Sequence, residues 1–263
     1  MPKTTVTKIT AENRRAQALQ AAEQCIELLK RDYGAKRVIL FGSLVGQGPW
    51  HSQSDIDLAV EGLAAEDFFK AYGACDELLP PDLELDLVPL EDAFPEMRAR
   101  ILGEVEMPDD PIMALKALVQ DELVALNRVA QEMDETLAEC SEPPTRVELR
   151  AIASLLHEFY NGIERIFERV AVGLDQSLPQ GSFWHADLLT QMAADQEKGR
   201  QAVIDTSLHA HLVEYFKFRH FFRHAYGYTL EWDRLRWLAE QLGATLRMLH
   251  HQLEIFFESL LKE

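Results

Sequence analysis

The spacing of apolar residues in the first part of the chain alternates between a helical and a strand period. Apolar positions between Ala11 and Asp32 recur at helical spacing, which predicts an amphipathic helix. Short β-branched or alternating runs predict strands, over Arg37–Phe41, Asp55–Val60 and Leu83–Pro89. A second helix is predicted over Ala64–Leu79, because two prolines directly after it stop the helical pattern. These elements together predict a small α/β unit.

The pattern changes near residues 108–111, and no strand-like run follows that point. Helical spacing predicts five further helices, over Ile112–Cys140, Thr145–Leu174, Trp184–Lys198, Thr206–Tyr226 and Trp232–Leu261. We therefore predict an α+β protein with an α/β domain at residues 1–110 and an all-α bundle at residues 111–263. A chain of 263 residues is long enough to bury a separate core in each domain.

Charge narrows the classes of function. The net charge of −18 argues against a general nucleic-acid-binding protein. The segment Phe216–His251 differs, since it carries six Lys or Arg, three Asp or Glu and four His. A phosphate-rich partner is therefore expected at this segment.

The cysteines and the apolar runs indicate the cellular compartment in which the protein is expected. The three cysteines are widely spaced, which favours reduced thiols over a disulfide or zinc site. The longest apolar runs are far too short to span a membrane, and the first residues lack the apolar core of a signal peptide. We expect a cytoplasmic protein without a membrane partner.

The stretch "FGSLVGQGPWHSQSDIDLAV" (Phe41–Val60) joins two predicted strands and carries candidate chemistry. Asp55 and Asp57 lie one residue apart on a strand, so both carboxylates project from the same face and repel each other. Asp86 lies on the third predicted strand and could join them. Three hard oxygen ligands together with nucleotide phosphates suit magnesium. Gly42 would allow close approach of the backbone to phosphate, and Ser43 could add its amide and hydroxyl groups.

Gly-Ser, eleven residues, Asp-Ile-Asp and a later strand Asp resemble the minimal nucleotidyltransferases (MNT) of the DNA polymerase β superfamily, over about residues 10–105. The resemblance implies transfer of AMP from ATP with two magnesium ions held by Asp55 and Asp57. It also implies that Asp86 ligates metal and helps to deprotonate the acceptor. Many relatives have Arg or Lys after the Gly-Ser, where this chain has Leu44-Val45. The alternative interpretation of the carboxylates is an acidic strand edge that serves solubility.

The stretch "FRHFFRHAYGY" (Phe218–Tyr228) holds a second candidate site. Arg219 and His224 are about 140° apart on an ideal helix, whereas Arg219 and Tyr226 nearly eclipse each other. Gly227 is a natural helix stop, so a distorted last turn could bring the three side chains together. An Arg for phosphate, a His for proton transfer and a Tyr hydroxyl would suffice for metal-free RNA cleavage. The alternative is an aromatic core helix with exposed basic residues.

Arg219, His224 and Tyr226 match the R-x4-H-x-Y motif, and residues 112–263 resemble HEPN-domain ribonuclease toxins. This resemblance implies RNA as a partner. It also implies a homodimer in which two copies of the motif line one cleft. The aromatic stretch Tyr215–Phe222 is expected to supply apolar area for that dimer.

Families that resemble the two halves often occur as a HEPN toxin and an MNT antitoxin, and the antitoxin attaches AMP to the motif tyrosine. The chain is therefore predicted to be a fused toxin–antitoxin protein in which Tyr226 is the modified residue. The added phosphodiester would place bulk and negative charge beside Arg219. Two alternatives stay open. The first is an aminoglycoside-type antibiotic nucleotidyltransferase, since the acidic net charge would attract a cationic substrate. The second is a catalytically silent dimerisation module at the C-terminal side.

Overall fold

The computed structural model describes residues 4–46, 50–51, 54–196, 200–224 and 230–262, with side chains from residue 13 onward except that of His224. The chain divides into two compact units, Met1–Met107 and Pro108–Glu263. The first contains a small sheet with helices and the second is helical, so the predicted fold class is confirmed. Among the helices described, none has the length and apolar character needed to cross a membrane.

The sheet of the first unit has three strands in the order β1-β2-β3. Their bounds are Arg37–Phe41 for β1, Ile56–Glu61 for β2 and Leu85–Pro89 for β3. β1 and β2 are antiparallel with Phe41 opposite Asp57, and β2 and β3 are parallel with Asp57 opposite Asp86. This mixed pairing makes β2 the central strand and places its residues between the other two.

The two faces of β2 have different neighbours, as the period of two requires. Ile56, Leu58 and Val60 are buried in a core with α1 (Thr4–Asp32) and α2 (Phe68–Asp76). Ala59 faces the opposite way and packs in a smaller cluster of buried residues, with Phe41, Leu90 and Ile101. Asp57 is two residues before Ala59 and therefore lies on the same face of β2 as Ala59, opposite to the main core.

Two helices of the first unit differ from the sequence prediction. The predicted helix over Ala64–Leu79 begins instead as a 3-10 turn at Ala65–Asp67 and is α-helical only over α2. A short helix α3 (Pro95–Ile101) was not predicted. Pro95 at its first position is compatible with a helix start, because an N–H there has no intrahelical partner. Seven residues give too few repeats of the helical period to reveal it in the sequence.

The second unit consists of five α-helices in the described part of the chain, α4 (Pro111–Glu139), α5 (Arg146–Val170), α6 (Trp184–Met192), α7 (Thr206–His224) and α8 (Trp232–Leu260). The side chain of Asp110 caps α4, and Thr145 with Glu148 forms a capping box that starts α5. α5 lies at the centre, since it packs against each of the other four helices. Gly162 permits a close approach of α5 to α4, because a Cβ atom there would lie 2.7 Å from Leu126.

The aromatic stretch predicted to supply dimer area is used largely within the protomer. Tyr215 is fully buried and its hydroxyl group donates to the carbonyl of Leu238 at 2.8 Å. Phe218 is 7% exposed and belongs to the same core, whereas Phe221 is 38% exposed. Tyr215 and Phe218 are therefore not available for a dimer contact, because residues three to four apart on α7 face the core of the unit. The dimer area stays a prediction, and it rests on rings that keep solvent contact, such as Phe221.

Candidate functional site

The carboxylates predicted from the sequence share one face of the sheet. Asp57 and Asp86 are direct neighbours across the parallel β2–β3 pair. Asp55 precedes β2 by one residue and projects from the same face as Asp57. Glu84 accepts a backbone hydrogen bond at its carbonyl from Ile56 at 2.9 Å, which continues the same register and sets Glu84 beside Asp55. The structure therefore assembles four acidic residues, one more than the sequence predicted.

Crowding changes the acidity of Asp55. Surrounding protein atoms displace part of its water, and the carboxylates of Glu84 and Asp86 repel its charge, so its pKa is raised to about 6. Arg14 acts in the opposite direction. Asp55 nevertheless keeps solvent contact. A bound cation would relieve the repulsion that raises this pKa.

Gly42 and Ser43 follow β1 directly, in the 3-10 turn Gly42–Val45, and thus adjoin Asp57. Gly42 has a φ of 74°, and a Cβ atom at this position would lie 2.1 Å from Oδ2 of Asp57. Only glycine fits here, because any side chain would overlap the carboxylate and strain the backbone. The predicted phosphate-binding turn is therefore in contact with the predicted metal-binding strand.

The donor set at this face fits a hard divalent cation by its chemistry, since it consists of carboxylate oxygens. In the part of the chain that the structure describes, no three His, Cys, Asp or Glu side chains are arranged as a ready metal site. Coordination of one ion by Asp55, Asp57 and Asp86 together therefore requires their side chains to rotate toward a common point. The backbone register that holds Asp57 beside Asp86 permits this.

Arg14 and Arg15 of α1 support the site, and the sequence reasoning missed both. Arg14 donates to the carbonyls of His51 at 3.2 Å and Ser54 at 3.0 Å, in the segment that leads into Asp55. Arg15 donates to the carbonyl of Leu44 at 2.9 Å, in the turn after β1. Each arginine thus fixes one of the two loops that border the carboxylates. Sequence periodicity assigned the helix from its apolar positions and gave no signal for these long-range contacts.

Arg219 of the predicted motif lies in the interior of the helical unit and is only 8% exposed. Its Nη2 atom lies 2.7 Å from Oε2 of Glu164, and its Nε atom donates to Oδ1 of Asn161 at 2.7 Å. Burial is the main cause that lowers the pKa of Arg219, and the nearby Glu164 opposes that shift. The guanidinium is therefore held by α5 rather than by solvent.

Glu164 is the centre of this cluster and was not predicted as a functional residue. It is 4% exposed and lies on the central helix α5. Besides Arg219 of α7, it contacts His185 of α6, whose Nδ1 atom lies 2.9 Å from Oε1. One carboxylate thus links three helices. The sequence carried no signal for Glu164, because exposed Glu residues are common on helices and only the packed structure shows that this one is buried beside Arg219.

Asn161 extends the cluster to His157. Because Arg219 can only donate, its contact fixes the Asn161 amide so that Nδ2 faces Nε2 of His157, 3.1 Å away. Nδ2 also only donates, so Nε2 must accept and His157 is neutral with its proton on Nδ1. Burial, followed by the positive charges of Arg219 and Arg223, lowers the pKa of His157, which also favours the neutral ring.

The other two motif residues stand at and beyond the end of the described part of α7. His224 is the last residue of α7, and its side chain is outside the described set. Tyr226, with the predicted helix stop Gly227, lies outside the described residues. The convergence of Arg219, His224 and Tyr226 therefore stays a prediction.

Comparison with protein families gives two separate matches. Residues 23–107 match the family described as "Polymerase beta, Nucleotidyltransferase". Residues 151–260 match the family described as "HepT-like protein". No curated protein and no solved structure matches the chain. The first match covers the carboxylates and Gly42-Ser43, and the second covers the cluster around Glu164.

Proposed function

We propose that this chain, which joins a polymerase β-type nucleotidyltransferase domain to a HepT-like domain of the HEPN type, is a fused toxin–antitoxin protein. In this proposal the first domain transfers AMP from ATP to Tyr226 of the second and so silences an RNA-cleaving site. The observation that carries the proposal is the contact of Gly42 with Asp57, beside Asp86, within the matched nucleotidyltransferase region.

The proposed transfer forms one bond and breaks one. The phenolic oxygen of Tyr226 attacks the α-phosphorus of ATP, the bond to the β-phosphate oxygen breaks, and pyrophosphate leaves. Asp86 accepts the phenolic proton, which is needed because an unperturbed tyrosine has a pKa of about 10. Gly42 leaves room for the phosphates and Ser43 donates to them. Magnesium held by Asp55, Asp57 and Asp86 would supply charge stabilisation at the α-phosphate and the leaving pyrophosphate.

In the unmodified protein, the R-x4-H-x-Y motif of the helical domain is the proposed ribonuclease site. His224 is the candidate for proton transfer during attack of the RNA 2′-hydroxyl group. AMP on Tyr226 would add a negative phosphodiester at the site that receives RNA phosphate, and so repel substrate. The proposal includes a homodimer in the cytoplasm, because two copies of the motif would form one cleft. Light scattering that shows a concentration-independent monomer would count against the dimer.

Intact-mass measurement after incubation with ATP and magnesium tests the transfer. We expect wild-type protein to gain the mass of at least one adenylyl group per chain, with Tyr226 as the modified residue in peptide mapping. The Tyr226→Phe variant should gain none at that position. The Asp55→Asn/Asp57→Asn double variant keeps the side-chain shape, removes the ligand charges and should transfer nothing. Transfer at wild-type rate by this double variant would refute the assignment of the site.

A second candidate is nucleotidyl transfer to a cationic small molecule such as an aminoglycoside. The specific observation in its favour is the solvent contact of Asp55, Glu84 and Asp86, which together form an anionic face that would attract such an acceptor. Labelled ATP distinguishes the two candidates. Label on an added aminoglycoside with Tyr226 unmodified favours the second, and label on Tyr226 favours the first.

A further inference from the structure

We propose that Arg223, rather than the motif residue Arg219, contacts RNA phosphate at the candidate ribonuclease site, and that Arg219 is a positioning residue. This inference rests on the proposed RNA-directed function of the helical domain. It assigns different tasks to two arginines that lie four residues apart on α7.

Arg219 is unsuited to phosphate as it is placed. Its guanidinium is directed toward α5, where Glu164 and Asn161 take its Nη2 and Nε donors at 2.7 Å each. The other N–H donors of Arg219 belong to a residue that is only 8% exposed, and a phosphate that reached them would bring a second anion beside the buried Glu164. Uncompensated buried charge is strongly unfavourable. Burial of both residues therefore argues for an internal support that fixes α7 against α5.

Arg223 has the opposite environment. Four residues correspond to a rotation of about 40°, so Arg223 lies on nearly the same face of α7 as Arg219 and one turn closer to His224. Its side chain is exposed, and within the described residues no carboxylate forms an ion pair with it. Its positive charge contributes to the lowered pKa values of Arg219 and His157, which places it next to the cluster.

The chemistry of an exposed guanidinium suits this task. Arginine presents a planar fork of N–H donors that binds phosphate through two parallel hydrogen bonds. A contact to phosphate fixes the position of the nucleic acid without selecting its sequence. His224 directly follows Arg223 in the chain, so an RNA backbone held by Arg223 would lie at the end of α7 that carries the candidate proton-transfer residue.

Salt-dependent binding of single-stranded RNA tests this assignment. The full-length chain should carry the Asp55→Asn/Asp57→Asn changes, so that self-modification cannot occupy the site. We expect Arg223→Ala to make the negative slope of log affinity against log salt shallower by roughly 0.7, which corresponds to about one phosphate contact on a single strand. The change should be the same for RNAs of different sequence. Arg223→Lys should keep the slope, since it retains the charge.

Lys217→Ala is the matched control, because it also removes one exposed positive charge from α7. Lys217 is paired with Glu214 at 2.7 Å and lies about 120° around the helix from Arg223. This variant should leave the slope unchanged. An equal loss of slope in Lys217→Ala and Arg223→Ala would indicate a general charge effect and overturn the proposal.

The positioning role of Arg219 has a separate readout. Arg219→Gln should lower the melting temperature by roughly 10 °C, because it leaves Glu164 buried and uncompensated. The Glu164→Gln/Arg219→Gln double variant should recover part of that loss, since neither charge remains. A stable Arg219→Gln protein with a reduced salt slope, alongside an unchanged Arg223→Ala protein, would overturn the inference. Failure of the parent protein to bind any RNA would instead refute the proposed function of the helical domain, and the inference with it.

Discussion

Oε2 of Glu164 lies 2.7 Å from Nη2 of Arg219, and neither residue is more than 8% exposed. The pair joins the central helix α5 to α7, and His185 of α6 contacts the other carboxylate oxygen. A buried ion of this kind depends on its partners, because neither water nor salt can replace them. The orientation of α7, and of Arg219 on it, is therefore coupled to one carboxylate.

Glu164→Ala is expected to destabilise the helical unit by about 3–5 kcal/mol, since it leaves the buried Arg219 charge without its partner. Urea unfolding measures the loss. Glu158→Ala is the control, because Glu158 lies on the same helix and is exposed. That change should stay within about 0.5 kcal/mol. Equal stability of the two variants would contradict the importance of the buried pair.

His157 should make the helical unit less stable in acid. Its pKa is lowered in the folded state by burial and by the charges of Arg219 and Arg223, whereas an unfolded chain has a histidine pKa of about 6.5. As the pH falls through about 6.5, the unfolded state therefore binds more protons than the folded state. The contribution of His157 to stability is fully present above that pH and is lost below it.

Comparison of wild type with His157→Gln at several pH values checks this expectation. Glutamine can still accept a hydrogen bond from Asn161 but does not titrate. The variant should lose less unfolding free energy than wild type between about pH 7.5 and pH 5. Identical losses in both proteins would assign the acid sensitivity to other groups.

Gly42→Ala should impair nucleotidyl transfer beyond its effect on stability. Both Gly42 and Gly46 have positive φ angles, 74° and 88°, so alanine strains the backbone at either position by about 1–2 kcal/mol. Only at Gly42 would the new Cβ meet a side chain, at 2.1 Å from the Asp57 carboxylate. Displacement of that carboxylate by an ångström is expected to cost about 100-fold in transfer rate.

Gly46→Ala is therefore the matched control, because no atom lies within 4 Å of its added Cβ. Thermal unfolding should show a loss for both variants, larger for Gly42→Ala because its Cβ also overlaps the Asp57 carboxylate, and only Gly42→Ala should lose activity in an adenylyl transfer assay. Similar transfer rates in both would mean that the contact of Gly42 with Asp57 has no role in the reaction.

Asp55→Asn should stabilise the metal-free first unit at neutral pH. The folded-state pKa of about 6 exceeds the unfolded value of about 3.9, so charging Asp55 costs stability as the pH rises through this window. Because the side chain keeps solvent contact, the gain is expected to be only about 1 kcal/mol. Thermal unfolding with a chelator present measures it. Added magnesium should raise the melting temperature of wild type more than that of Asp55→Asn, and an equal increase would place the ion elsewhere.

The fold and the carboxylate face were predictable because their signals are local. Alternation over Asp55–Val60 defines the strand, and the same alternation assigns Asp55 and Asp57 to one face. The family resemblance of both halves is confirmed by the two family matches. Asp86 required a further assumption, that the third strand lies beside the second, and the parallel register bears it out.

The supporting residues were not predictable, because each depends on packing between elements distant in sequence. Arg14 binds carbonyls 37 and 40 residues away, and Glu164 meets Arg219 across 55 positions of chain. A single charged residue on a helix gives the same sequence pattern whether it ends in solvent or in a core. Burial, which decides between these outcomes, follows only from the packed helices.

The order of the two units along the chain determines the order in which they are made. Met1–Met107 leaves the ribosome before Pro108–Glu263, and each unit has its own buried core. Synthesis of the stretch from Met107 to Tyr226 takes on the order of 10 s at typical elongation rates. The sheet that holds Asp57 beside Asp86 can therefore be complete before α7 exists. A nascent chain of this design can thus present its helical unit with a folded nucleotidyltransferase unit already attached.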